Sequence, residues 1–163
     1  MKIDSCVYLS IGSNINDRVL NLNLAVKYLS EKLKILKVSS LYESEPLYYK
    51  SQNMFLNMVV HISTTFDIFD LLSFCKKIEI KMGRKKNKYK NRERIIDIDI
   101  LTYNELIYSD KQISIPHPKI HERKFVLIPW IEISPNFFIV NYKKNVTSLL
   151  SCTKDKSKVI KLV

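Results

Sequence analysis

The chain has 163 residues, of which 46% are hydrophobic, and its formal net charge is +11. This length and composition favour one globular domain over residues 1–163, and no apolar run is long enough to span a membrane. The early polar residues and three widely spaced cysteines exclude a secretory signal and a disulfide framework, so we expect a cytoplasmic protein.

The N-terminal half alternates between strand and helix patterns. Residues 6–11 predict a buried strand, and after a turn at 12–14 apolar residues recur at spacings of three and four, which predicts a helix capped by Asn16 or Asp17. Residues 33–44 predict a second strand. Along residues 54–63 an apolar set alternates with a mixed set, so Leu56 should face the core while Phe55 and Asn57 share the opposite face.

The second half begins with a helix that Asp67 caps and Gly83 ends. A basic segment overlaps the end of this helix, because residues 76–94 hold ten Lys or Arg and two Glu. This density favours a polyanionic ligand, either nucleic acid or the phosphates of a nucleotide. Residues 95–103 and 106–108 predict two more strands, and residues 115–135 predict a loop leading into a short helix. A second basic segment at 143–161 is equally consistent with the codon bias of an AT-rich genome.

The order of these elements predicts the fold class. A strand, a helix, two strands, a helix and a strand follow one another, which is the split βαβ or ferredoxin-like arrangement. We therefore expect an α+β fold with one antiparallel sheet and with helices mainly on one of its faces.

Two carboxylates, Asp97 and Asp99, interrupt a run of isoleucines in a predicted buried strand. Residues two apart on a strand share a face, with Cα atoms roughly 6.6–6.8 Å apart, and paired metal ions in phosphoryl-transfer sites lie about 3.5–4 Å apart. Alternatively, the two aspartates pair with lysines on a half-exposed strand. The basic segment that ends at Arg94 favours a Mg²⁺ site that binds a triphosphate.

The glycine content limits how phosphates can be bound. The chain has only two glycines, Gly12 and Gly83, which excludes both the GxxxxGK and the GxGxxG phosphate-binding loops. Phosphates must therefore be held by side chains and metal.

Six segments resemble, in order, the motifs of the 6-hydroxymethyl-7,8-dihydropterin pyrophosphokinase family. They are YLSIGSN, SSLYESEPL, FLN after a glutamine, IE followed by GR, RIIDIDIL, and IPHP followed by ER and FVL. Together they extend over most of the chain. The resemblance implies a ferredoxin-like fold, in agreement with the order of the elements.

The resemblance also implies a role for each matching residue. Asp97 and Asp99 match the ligands of two Mg²⁺ ions that lie between ATP and the pterin. The residues implied in catalysis are Arg84, Lys86, Arg94, Asp97 and Asp99. Those implied in nucleotide binding are Glu79, Arg84, Lys86, Ile100, Ser114, His117 and Arg123. Those implied in pterin binding are Ser44, Glu45, Leu47, Phe55, Asn57 and Phe125.

Two places depart from the family pattern. Where the family usually has an aromatic residue, Gly and Pro before the arginine, this chain has Asn91, Arg92 and Glu93. Tyr89, two residues earlier, is the nearest aromatic ring. Where a glycine usually follows the SEPL segment, the chain has Tyr48.

The implied reaction transfers pyrophosphate from ATP to the hydroxymethyl oxygen of the dihydropterin and releases AMP, a step of folate biosynthesis. The expected partners are these two small molecules, with no nucleic acid and no membrane, and the expected state is a monomer.

The residues also leave two alternative functions open. A basic ferredoxin-like RNA-binding module would need exposed aromatic residues where the chain has acids. A metal-dependent nuclease or phosphatase does not account for the SEPL and FLN segments.

Overall fold

A computed structural model describes residues 4–84 and 92–162 of the chain. The predicted catalytic and nucleotide-binding residue Lys86 lies outside this range. The strands of the described part are β1 (Ser5–Ser13), β2 (Lys34–Val38), β3 (Tyr42–Ser44), β4 (Phe55–Thr64), β5 (Asp97–Tyr103), β6 (Tyr108–Ser109), β7 (Ser114–Ile115), β8 (Phe138–Ile139), β9 (Lys144–Asn145) and β10 (Val159–Lys161). The α-helices are α1 (Arg18–Ser30), α2 (Ile68–Lys81), α3 (Lys124–Ile133) and α4 (Val146–Cys152), with 3₁₀ turns at Ile120–Glu122 and Val140–Tyr142.

The central sheet is antiparallel throughout. Its order is β10-β3-β4-β1-β5, and β2 pairs with another part of β4. The succession β1-α1-β2-β4-α2-β5 is the ferredoxin-like arrangement, to which β3 and β10 add an edge. The predicted α+β fold with an antiparallel sheet is therefore confirmed.

Local signals define the ends of the two long helices, as predicted. Asp17 caps α1, where its carboxylate accepts a hydrogen bond from Leu20 N at 2.9 Å, and Asp67 caps α2 by accepting from Phe69 N at 2.9 Å. Gly83 follows α2 with φ of 93°, a left-handed conformation that glycine adopts without steric cost. Within the described residues, none of these helices is long and apolar enough to cross a membrane.

The sheet separates two hydrophobic cores. The predicted apolar face of β4, with Leu56 and Val60, packs in the same core as α1 and α2. Val59, on the mixed face, packs in a second core with Trp130 of α3 and with α4. The two long helices thus lie on one face as expected, and the two shorter helices cover part of the other. Asn57 lies on this second face, where the candidate site is found.

One predicted strand is divided in the structure. Residues 33–44 form β2 and β3, which are separated at Ser39. Ser39 N donates to Val59 O at 2.9 Å, and Ser39 Oγ accepts from Val59 N at 2.9 Å. Because a side-chain oxygen replaces a backbone carbonyl here, β4 keeps its hydrogen bond although the strand is interrupted. The hydrophobic pattern of residues 33–44 does not predict this break in the strand.

Glu132 joins α3 to the edge of the sheet. Its carboxylate accepts from Ser40 Oγ at 2.7 Å and from Tyr42 OH at 2.8 Å. It also pairs with Lys161 of β10 at 3.2 Å. Burial alone would raise the pKa of Glu132, but hydrogen bonds from Ser40, Tyr42 and Lys161 outweigh burial and lower the pKa to about 2.

We expect Glu132→Gln to destabilise the fold in a pH-dependent manner. A carboxylate whose folded-state pKa is depressed stabilises the protein above its unfolded pKa of about 4.3, and this contribution is lost as the pH falls toward about 2. The expected loss at pH 7 is about 1 kcal/mol, because Glu132 is exposed and solvent screens its charge. Thermal unfolding at pH 7 and pH 3 should show a difference between the proteins that narrows at low pH. If the difference in unfolding temperature were the same at both pH values, the charge of Glu132 would not be what stabilises the fold.

Candidate active site

The acidic pair borders a cavity on the sheet face that also carries α3. In the sheet, Gly12 of β1 lies opposite both Asp97 and Asn57, and Ser10 lies opposite Asp99. The cavity, which we call the pterin cavity, has a volume of about 80 Å³. Its lining includes every residue predicted to bind pterin, namely Ser44, Glu45, Leu47, Phe55, Asn57 and Phe125. It also includes four charged residues of the predicted site, namely Arg94, Asp97, Asp99 and Arg123.

Asp97 is held between two arginines. Its Oδ1 accepts from Arg84 Nη1 at 2.7 Å, and its Oδ2 accepts from Arg94 Nη1 at 2.6 Å. Burial by itself would raise the pKa of Asp97, but the positive charges of Arg94 and Arg84 lower it. Asp97 is therefore ionised at neutral pH, and two cations are concentrated beside it.

Asp99 faces a histidine and a third arginine. Arg123 Nη1 donates to Asp99 Oδ2 at 3.1 Å, and His117 Nε2 lies 3.8 Å from the same oxygen. Burial, followed by the charge of Arg123, lowers the pKa of His117 although Asp99 opposes this shift, so the imidazole is neutral at pH 7. His117 Nδ1 accepts from Lys119 N at 3.2 Å, and its Nε2, which lies toward Asp99, is also 3.5 Å from Arg123 Nη1.

Arg123 has a buried donor that the described residues do not satisfy. Its Nε atom is buried and has no hydrogen-bond partner among them. Buried polar groups are rarely left without a hydrogen-bond partner, so the unpaired Nε of Arg123 is an exception to the usual pattern. Arg123 itself lines the pterin cavity.

Glu79 lies behind the acidic pair and is almost fully buried, with 2% of its surface exposed. Its Oε1 accepts from the backbone N of Ile98 at 2.8 Å and pairs with Arg84, while Oε2 accepts from Lys76 Nζ at 3.0 Å. Burial raises the pKa of Glu79, although Lys76 and Arg84 oppose the shift. In this position Glu79 orients Arg84 toward Asp97.

The floor of the pterin cavity depends on a glycine. A Cβ atom at Gly12 would lie 2.9 Å from Asn57 Oδ1, closer than real Cβ contacts. Asn57 cannot easily move away, because it is buried and its Nδ2 donates to Ser44 Oγ at 2.9 Å. Sequence reasoning did not assign Gly12 to the site, nor Gln52 and Tyr48, which also line the cavity. The pairing of β1 with β4 and β5 is the signal that places Gly12 beside Asn57 and Asp97.

A second cavity, of about 310 Å³, opens on the other side of Asp99. It brings together three residues of the predicted nucleotide set, Ile100, Ser114 and His117. It is also lined by Lys76 and Lys111, which the sequence did not single out as site residues. We call it the nucleotide-side cavity. Because Asp99 lines both cavities, a carboxylate lies where two ligands would meet.

The donor set around Asp97 and Asp99 fits magnesium. Among the described residues there is no group of three or more His, Cys, Asp or Glu side chains that could hold a metal ion without another ligand source. Mg²⁺ is usually bound by one or two carboxylates, with water and substrate phosphates completing its coordination. A pair of aspartates beside two ligand cavities therefore suits Mg²⁺ that is bound together with a phosphorylated substrate.

The fold and the site define an α+β protein with a carboxylate pair at one cavity, one member of which also lines a second cavity, and with arginines that can bind phosphate around the pair. The family model described as 7,8-dihydro-6-hydroxymethylpterin-pyrophosphokinase matches residues 8–135. The chain belongs to this family.

Relatives of this family occur as separate enzymes and within longer proteins. The chain is 39% identical to the 2-amino-4-hydroxy-6-hydroxymethyldihydropteridine pyrophosphokinase of Aquifex aeolicus over 138 residues, which is 85% of this chain and 86% of that protein. It is 43% identical to the folic acid synthesis protein FOL1 of Dictyostelium discoideum over 134 residues, 82% of this chain. It spans only 20% of that longer relative.

A solved structure supports the fold. The wild-type HPPK-DHPS of Plasmodium falciparum, crystallised with pteroate, matches 93% of this chain and 42% of that chain with a TM-score of 0.74. The sequence identity is 18%, so this comparison concerns the fold. It agrees with the ferredoxin-like arrangement expected from the order of the elements.

Proposed function

We propose that this protein transfers pyrophosphate from ATP to 6-hydroxymethyl-7,8-dihydropterin, which yields the pterin diphosphate and AMP in folate biosynthesis. Family membership and the names of the relatives support this activity. The observation that carries the proposal is the position of Asp99, which lines both the pterin cavity and the nucleotide-side cavity. The acceptor hydroxyl and the donor phosphates would meet there.

Asp97 and Asp99 are the residues that would hold two Mg²⁺ ions. The bound ions would neutralise phosphate oxygens and lower the pKa of the pterin hydroxyl. This assignment is supported by the two carboxylates sharing one face of β5 in the lining of the pterin cavity, and by Asp99 also lining the nucleotide-side cavity. It explains why a strand otherwise rich in isoleucine carries two acids.

The arginines would stabilise the charge that develops on the transferred group. Arg84, Arg94 and Arg123 already lie within hydrogen-bond distance of the acidic pair, so they need little movement to contact phosphate oxygens. The ring of His117 would lie beside the same phosphate oxygens, because its Nε2 is 3.8 Å from Asp99 Oδ2. Donors fixed in place before the reaction stabilise a transition state without reorganisation. By resemblance, Lys86 would also reach the phosphates.

The pterin would be recognised by an amide and by aromatic rings. Asn57 offers a donor and an acceptor on one side chain, and its orientation is fixed by Ser44 and by the close approach of Gly12. Phe55 and Phe125 line the same cavity, and their rings suit a flat heterocycle.

The cellular setting is also part of the proposal. We infer a cytoplasmic monomer that acts on these two small molecules and uses neither nucleic acid nor a membrane. The acidic pair supports this inference against an RNA-binding role, because it lies on the sheet face where such modules usually present aromatic residues.

The reaction products test the proposed function. Incubation with ATP, Mg²⁺ and 6-hydroxymethyl-7,8-dihydropterin should yield AMP and pterin diphosphate in equal amounts, because attack of the hydroxyl on the β-phosphorus would release AMP. Without pterin, ATP should remain largely intact. Separation of the nucleotides and pterins by chromatography measures both products. ADP as the main product, or AMP formed equally fast without pterin, would refute the proposal.

A further inference from the structure

The loop after β3 separates two cavities that lie side by side. The pterin cavity and a larger cavity, of about 660 Å³, are both lined by Leu47 and Tyr48. The larger cavity extends to Tyr142 and Leu149, near the C-terminal helix. Leu47 belongs to the predicted pterin set, whereas Tyr48 has no role in the site described above. Tyr48 therefore lies between the pterin cavity and the larger cavity, and the proposed function assigns it no contact.

A cation lies over this ring. Lys119 Nζ lies 4.6 Å from the centre of the Tyr48 ring, within the range of a cation–π interaction. Tyr48 is 42% exposed and Lys119 is also exposed, so this contact lies at the surface of the protein. The backbone N of Lys119 donates to His117 Nδ1. One short segment thus restrains Tyr48 at the pterin cavity and orients His117 beside Asp99.

We propose that Tyr48 is an aromatic wall of the pterin cavity that contacts the bound heterocycle, and that Lys119 positions its ring. This inference rests on the proposed function, because it assigns a binding contact for the same pterin. The physical reason is that Phe55 and Phe125 line the cavity elsewhere, while Tyr48 separates it from the larger cavity. Without the ring, one side of the heterocycle would face the solvent of the larger cavity.

Substitution of Tyr48 tests the contact. Tyr48→Ala should raise both the KM for pterin and the Kd measured by calorimetry about tenfold, as expected for loss of an aromatic contact and its buried area. The KM for ATP should change less than twofold. Tyr48→Phe, which keeps the ring, should retain wild-type affinity for pterin. Because position 48 lies in an exposed loop, the thermal unfolding temperature should not change.

A double-mutant cycle tests the role of Lys119 as a positioning residue. Lys119→Met removes the charge but keeps the backbone N that contacts His117, and should raise the KM for pterin about two- to fivefold. In the Tyr48→Ala background the same substitution should have no further effect, because Lys119 acts through the ring. Independent effects of the two substitutions would refute the positioning role.

The neighbouring residue Tyr49 provides the matched control. It is 39% exposed and lies under the Arg92 guanidinium at 4.0 Å, but it is not among the residues that line the pterin cavity. Tyr49→Ala should change the KM for pterin less than twofold. The inference would be overturned if Tyr49→Ala raised the KM for pterin as much as Tyr48→Ala, or if Tyr48→Ala did not raise it. Wild-type protein that binds pterin without forming AMP would instead refute the proposed reaction, while the calorimetric affinities would still decide the role of Tyr48.

Discussion

Asp97→Asn and Asp99→Asn should each lower the turnover number by a factor of at least about 10²–10³, the loss expected when a group that stabilises transition-state charge is removed. Asparagine keeps the size and shape of the side chain but removes the charge that would bind Mg²⁺. At position 97 it also removes the negative charge that pairs with Arg84 and Arg94, and at position 99 the charge that pairs with Arg123. Steady-state AMP formation at saturating ATP and pterin measures the effect.

The control separates the loss of catalysis from the loss of structure. Asp97 and its arginine partners are all partly exposed, and Arg84 keeps its ion pair with Glu79, so Arg94 can be solvated and the unfolding temperature of Asp97→Asn should fall by only a few degrees. Asp70→Asn is the matched variant, since Asp70 is an exposed aspartate in the first turn of α2. It should retain wild-type turnover. Near-wild-type activity of Asp97→Asn or Asp99→Asn at ordinary Mg²⁺ concentrations would refute the metal assignment.

The fold could be predicted because most of its signals are local. The caps at Asp17 and Asp67, the stop at Gly83, and the alternation along β4 each depend on residues a few positions apart. The interruption at Ser39 and the edge strand β10 could not be predicted in this way. Both depend on pairing with distant parts of the chain, which no short pattern encodes.

The candidate site was predicted from family motifs more than from physical pattern. Spacing alone placed Asp97 and Asp99 on one face, and alternation placed Phe55 and Asn57 together. The contribution of Gly12 depends on the register that sets β1 between β4 and β5, and that register becomes known only with the fold. The burial of a charged residue is likewise a property of the three-dimensional structure, as Glu79 shows.

Glu79→Ala should be the most destabilising of the substitutions considered, with a loss of about 3 kcal/mol in the free energy of unfolding. Removal of one partner from a buried ion pair typically costs about 3–5 kcal/mol, and the lower value applies because Arg84 and Lys76 are partly exposed. The backbone N of Ile98 would also lose its acceptor. For a chain of this size the unfolding temperature should fall by about 6–12 °C.

Two variants distinguish a structural role of Glu79 from the nucleotide contact that the family resemblance implies. Glu79→Gln keeps an oxygen that can accept from Ile98 N but loses the ion pair with Arg84, so its destabilisation should lie between wild type and Glu79→Ala. Glu105→Ala, at an exposed position in the turn after β5, should leave the unfolding temperature unchanged. If the role of Glu79 is structural, Glu79→Ala should unfold at a clearly lower temperature than the wild type in the absence of ATP. An unchanged unfolding temperature with a raised KM for ATP would instead establish direct contact with the nucleotide.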